Sequence, residues 1–357
     1  MRCMLLAMAF FCGLSPLAAQ DSVYPVADRL LKDAVSNGEC MGIAAGFSVN
    51  GMHKWQGGAG LSDEKSKEAF EASSLTRLAS VAKPMTAIAI MQLFEQGKLD
   101  LDAPIQTYLP DFPVKKEGKI STRQLLQHTS GLDGYRSSKE QENTKNYAGL
   151  RDVVALFQDR NLVSEPGKAF HYTTYGYVVL GLIIEKVSGM SYETYLKANI
   201  WDKAGMTQTG IEYFNHPVPN QSKIYHRSSK GKIKAAKRTN LSDRIPGGGI
   251  YSCVTDMLKF GDAVLNNTLV SQNTLDMMLE DPHLKEEGNA YGLGWYLYGK
   301  NPKFGNVFGH NGTQTGASTF LFLLPDQKTS IVVLSNTSGV MQRVSDIAVK
   351  LFEVAGE

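Results

Sequence analysis

Apolar residues along this chain follow two different periods, and the change of period divides it. Residues 21–36 carry apolar side chains at helical spacing, whereas 43–49 and 52–56 read as short strands. Between those strands stands Asn50-Gly51, a pair tolerant of positive φ, which a tight hairpin between twisted strands requires. Strand patterning returns only near the other end, at 307–309, 317–324 and 331–334, before a last helical stretch around 340–354. The intervening segments 85–94, 153–157, 177–187, 192–200 and 257–265 repeat their apolar positions at helical spacing. This order predicts an α/β (α+β) fold. Strands from both ends build one antiparallel sheet flanked by the terminal helices, and the middle forms an all-α subdomain. The sheet part is expected over 20–79 and 301–357 and the mainly helical part over 80–300. No linker or repeat separates them, so 20–357 is read as one domain.

Residues 1–19 are set apart by a different pattern: Arg2, an apolar run over 4–14 and a small-residue pair, Ala18-Ala19, read as a secretory signal peptide. The run is too short to span a bilayer, and Cys12 follows Phe10-Phe11 rather than the small residues of a lipoprotein cleavage site. An exported protein, periplasmic or secreted and without stable membrane insertion, is therefore expected. Cys40 and Cys253 remain after removal of that segment; an oxidising compartment permits a disulfide, and burial as free thiols is the alternative. A formal charge of +2 over 357 residues gives no reason to invoke nucleic acid. One stretch is locally basic: Lys223, Arg227, Lys230, Lys232, Lys234, Lys237 and Arg238 occur with no acid among them, as a solvated loop or as a patch for an anionic partner. The seven histidines fall in no metal-ligand spacing, so neither metal nor other cofactor is implied.

Candidate chemistry begins at Ser80-Val81-Ala82-Lys83, just before the apolar run 85–94. Helical residues three apart share a face, so the Lys83 amine can reach the Ser80 hydroxyl. A serine is a poor nucleophile until a neighbour takes its proton, and a lysine can do so only if burial or nearby positive charge lowers its pKa. Alone, the pattern also fits a surface serine beside a solvated lysine. Two distant segments change the balance. Phe170-His171-Tyr172-Thr173-Thr174-Tyr175 follows the turn Glu165-Pro166-Gly167, and Gly309-His310-Asn311-Gly312-Thr313 lies between strand-like stretches.

In that order the three segments resemble the active-site motifs of the serine penicillin-recognising enzymes, in the class C β-lactamase and D,D-peptidase branch. Leu125-Leu126-Gln127-His128-Thr129-Ser130-Gly131-Leu132, Pro246-Gly247-Gly248-Gly249 and Tyr291-Gly292-Leu293-Gly294-Trp295 look like further landmarks of that group. The stretch from Leu78 to Pro104 looks most like the mitochondrial β-lactamase-like serine proteases and their bacterial relatives. The resemblance covers nearly the whole chain beyond residue 19. It implies the two-part β-lactamase/transpeptidase-like fold, with the site in the cleft between the parts.

The resemblance implies Ser80 as nucleophile, Lys83 and Tyr172 as proton carriers, and His310 at the third catalytic position. Positive charge on Lys83 is expected to favour the Tyr172 phenolate. Backbone N–H groups of Ser80 and Thr313 would hold the oxyanion, Gly312 letting substrate approach the strand. Two departures bear on specificity. Thr174 stands where the β-lactamases carry Asn, and His310 where they carry Lys, so a side-chain amide and a permanent cation for a substrate carboxylate are lost. His128 is read as shaping its loop. The expectation is a secreted serine hydrolase acting through an acyl-enzyme on amide or ester bonds of a peptide or small molecule, peptidase-like or peptidoglycan-related. β-Lactamase or small-ester esterase activity is the alternative. A catalytically silent binding or scaffold protein of the same fold is the rival from another class, which intact Ser80, Lys83 and Tyr172 argue against.

Overall fold

The computed structural model describes residues 23–142, 144–284 and 290–356; the signal segment read above lies outside them. Helix α1 (Pro25–Ser36) leads into strands β1 (Gly42–Val49) and β2 (Met52–Asp63), joined where Asn50 and Gly51 take φ of 53° and 72°. Those left-handed values make the hairpin turn the sequence called for. Strand β2 runs past the expected residue 56, because Gly57, Gly58 and Gly60 fit against Trp55, Phe70 and Met41 where a side chain would collide.

A short strand β3 (Glu68–Ala69) and the C-terminal strands β4 (Tyr296–Asn301), β5 (Gly305–Gln314), β6 (Ala317–Leu324) and β7 (Thr329–Ser335) complete one seven-stranded antiparallel sheet, ordered β3-β2-β1-β7-β6-β5-β4. The two ends of the chain meet at its centre, with Phe47 opposite Ile331 and Ile43 opposite Ser335. Every residue of β6 is buried, which explains its unbroken apolar run: the sheet is covered on both faces.

Side chains alternate accordingly. Ile43, Ala45, Phe47, Phe320, Phe322, Ile331 and Val333 join α1 and the C-terminal helix (Met341–Ala355) in one core. Ala44, Leu321, Leu323, Val332 and Leu334 point the other way, into the core shared with the helical part and with the helix Val254–Leu265. The sheet layer thus recruits residues from before position 301: all but the last residue of β4, and that supporting helix.

Helix α2 (Lys83–Glu95) runs through the helical part, buried from Lys83 to Leu93. Apolar on every side, it is a central helix and not a surface one. It packs against helix α3 (Thr174–Ser188), started by the Thr173 hydroxyl accepting the Tyr175 N–H and ended by Gly189 at φ 73°. Residues 192–200, expected as one helix, form a regular stretch only over Tyr192–Leu196 before a wider turn at Lys197–Trp201. Cys40 and Cys253 are buried and unpaired, and burial pushes their thiols up to about 12 and about 11. No helix among the described residues is long and apolar enough to cross a membrane.

Candidate active site

Ser80 lies on a single 3₁₀ turn, Ala79–Ala82, that runs straight into α2, so the nucleophile candidate sits where helical N–H groups have no intrahelical acceptor. The preceding Ala79 is held at φ 50°, a conformation that costs a non-glycine residue free energy. Strand β5 braces the turn. A Cβ on Gly312 would stand 2.6 Å from the Leu78 carbonyl oxygen and 2.9 Å from the Ser80 nitrogen, so only glycine lets the strand come this close. The Thr319 hydroxyl fixes the approach by donating to the Leu78 carbonyl at 2.7 Å. Thr313 follows on the exposed side of β5.

Lys83 is fully buried at the start of α2. Its Nζ lies 3.0 Å from Ser80 Oγ, 2.9 Å from the Gly247 carbonyl oxygen and 3.4 Å from Thr174 Oγ1. No carboxylate among the described residues pairs with it there. Burial, and secondarily the positive charge of Arg244, lower its pKa to about 7. When unprotonated, Lys83 has two hydrogens, enough for Gly247 and Thr174, and a lone pair that can face Ser80 Oγ.

Tyr172 reaches the same place from the turn before α3. His128 supports it: the buried imidazole lies 4.1 Å from the phenol ring, centroid to centroid, and its Nδ1 accepts the Thr173 N–H. Burial keeps His128 well below the usual imidazole range. The expected phenolate at Tyr172 does not fit this setting. Burial, with the neighbouring Tyr296, pushes the phenol well above its ordinary value, against a lowering by its hydrogen bond with Ser80. Lys83 Nζ faces the Tyr172 ring at 4.8 Å from its centroid, and the amine has itself largely lost its charge above neutrality. Tyr172 is a neutral phenol beside Ser80.

His310 is fully buried in β5, with both ring nitrogens engaged inside the protein. Nδ1 lies 2.6 Å from the Asn311 carbonyl oxygen, which can only accept; the ring proton therefore sits there, and Nε2 accepts from Tyr291 Oη at 3.0 Å. Burial, then the charge of Lys83, hold its pKa at about 3. The imidazole expected at the third catalytic position has neither a charge nor a free nitrogen to offer. Thr174 likewise aims its hydroxyl at Lys83, while its methyl packs over Gly247.

Three contributors escaped the sequence reading. Gly247 acts through a backbone carbonyl, which has no side-chain signature. Tyr291 lies within a segment read only as a landmark. Arg77, also fully buried, forms a bidentate pair with Glu212 at 2.6 and 2.9 Å and donates to the Thr315 carbonyl at 2.8 Å. One guanidinium thereby ties the strand leading to Ser80 to the end of β5.

A serine with a buried lysine and a phenol close to it, on this sheet-and-helix scaffold, fits the serine hydrolases of the β-lactamase and penicillin-binding-protein class. The chain belongs to the Beta-lactamase family, whose profile matches residues 27–355. It is 27% identical to the mouse mitochondrial serine beta-lactamase-like protein LACTB, over 82% of this chain and 71% of that one. It is 30% identical to Penicillin-binding protein 4* of Bacillus subtilis strain 168, over 78% of this chain and 64% of that protein. The D-amino acid amidase of Ochrobactrum anthropi SV3 shares the fold, with a TM-score of 0.81 at 20% identity, covering 93% of this chain and 99% of the amidase. The protein is a serine hydrolase of this family.

Proposed function

We propose that this chain is an exported acyl hydrolase that cleaves amide or ester bonds through a covalent intermediate on Ser80, with peptides ahead of small esters as substrates. The observation that carries the reading is the 3.0 Å approach of a fully buried Lys83, its pKa lowered to about 7, to Ser80 Oγ. Neutral Lys83 takes the hydroxyl proton as Oγ attacks the carbonyl carbon. Negative charge then develops on the carbonyl oxygen, which the N–H groups of Ser80 and Thr313 hold. Tyr172 gives its proton to the departing amine or alkoxide and is re-protonated from Lys83, so the relay ends with a neutral enzyme and an ester on Ser80. Water enters by the same relay in reverse and releases the acid. Residues 1–19 support export to the periplasm or medium.

Specificity outside the β-lactams is favoured by the state of His310 and Thr174. A neutral, internally bonded imidazole offers no cation to a β-lactam carboxylate, and a hydroxyl turned to Lys83 offers no amide to an acylamino group. Each lost contact is worth about 1.5–3 kcal/mol, so a chromogenic cephalosporin should show kcat/KM about two to four decades below a dedicated β-lactamase. A short-chain aryl ester should react faster. A cephalosporin rate near the diffusional ceiling would make β-lactamase the leading reading instead.

A further inference from the structure

The basic segment 223–238 contains the hairpin Tyr225–Arg227 and Ile233–Ala235, and one side of it walls a cavity of about 390 Å³. The floor is the Arg77–Glu212 pair with Arg238 beside it. Glu212 is already saturated: Arg77 holds both of its oxygens, Gln221 donates to one at 2.9 Å, and Arg238 Nε stands 3.8 Å from the other. Two guanidinium groups therefore share one carboxylate, leaving a net positive charge at the floor. At the rim Lys65 and Lys223 balance Asp63 and Glu64.

Arg238 carries that excess charge. It is partly exposed, stacks at 5.0 Å on Phe214 and spends one donor on the Tyr213 carbonyl, which leaves most of its five N–H groups available. Val218, Ile224 and Ala236 make the remaining wall apolar.

The cavity is joined to the catalytic strand. Arg77 holds the Thr315 carbonyl, and Gly316 abuts Ile224 so closely that a Cβ there would lie 2.2 Å from that side chain. Both positions follow Thr313 by only a few residues.

We propose that this cavity is a carboxylate subsite, separate from the Ser80 centre, that takes an apolar group ending in a carboxylate, as on an N-acyl amino acid or the distal end of a peptide substrate. It relocates to Arg238 the anion recognition that His310 does not supply. Its link to turnover rests on the proposed hydrolase activity; binding itself does not, so the two are tested apart. Calorimetry on the Ser80→Ala chain, which cannot acylate, compares N-acetyl-leucine with N-acetyl-leucinamide. The acid should bind saturably, and the amide roughly tenfold to a hundredfold more weakly, the range expected for losing one charge-assisted hydrogen bond. Adding Arg238→Gln should reduce the acid to the level of the amide, and Arg238→Lys should restore part of the difference, provided that circular dichroism shows the fold intact. In the chain with Ser80 present, Arg238→Gln should leave kcat/KM for a neutral aryl ester within about twofold. Equal binding of acid and amide, or acid binding indifferent to Arg238→Gln, would overturn the subsite. No ester turnover by the chain with Ser80 present, alongside intact acid binding, would count against the hydrolase reading alone.

Discussion

The proposed mechanism turns on Lys83, and its state can be read from a pH profile. Because the unprotonated amine is the base, kcat/KM should rise with pH through a limb centred at about 7, and no fall should come from Tyr172 near neutrality, since its phenol is shifted upward. The same shift has a cost. Between about pH 7 and the ordinary lysine value the unfolded chain binds a proton that the folded chain does not, so this site's contribution to stability grows as pH rises and is unfavourable at neutrality. Lys83→Met should therefore abolish turnover while leaving the protein as stable or more so at pH 7, by up to about 3 kcal/mol in thermal unfolding. An acid limb near pH 10, or strong destabilisation by methionine, would mean that Lys83 is held as an ammonium. The approach of Lys83 to Ser80 was legible in the sequence because the two lie one helical turn apart, whereas the turn of the Thr174 hydroxyl toward Lys83 was not. The inward-facing state of His310 was not: it depends on Tyr291, nineteen residues away, and on burial that motif spacing does not record.

At the level of elements, the site is a junction between the Ala79–Ala82 turn and strand β5, and Gly312 sets its gap. Gly312→Ala would place a methyl 2.5 Å from Thr319 Oγ1 and 2.9 Å from the Ser80 nitrogen, pushing strand and turn apart. The expected result is a loss of kcat/KM of about 10²–10³, as for removal of one oxyanion donor. Overpacking should cost about 1–3 kcal/mol of stability, leaving a folded protein by circular dichroism. Unchanged turnover would separate β5 from catalysis. The hairpin at Asn50-Gly51 and the buried helix α2 were readable because turn chemistry and a long apolar run are strong local signals. Strand β4 was not, since it is a sheet-edge strand largely open to solvent and lacks the apolar run of its buried counterparts.

Across the whole molecule, one sheet made from both chain ends packs against the helical part, and the Ser80 turn lies where strand β5 meets the start of α2. That two-part fold was legible from the distribution of strand and helix patterning; the membership of α/β and helical parts was less so, because the helix Val254–Leu265 packs on the sheet from within a helical stretch. Expressed with its own N-terminus in a bacterial host, the protein should be recovered from the periplasm or medium beginning near Gln20; full-length cytosolic protein retaining Arg2 would refute export. The central claim, that a single activated serine carries the reaction, is tested most directly by treating the protein with a fluorophosphonate probe and mapping the adduct by mass spectrometry. The account predicts one modified residue, Ser80, with labelling abolished in Ser80→Ala and slowed as pH falls below about 7. An adduct at any other residue, or equal labelling of Ser80→Ala, would contradict it.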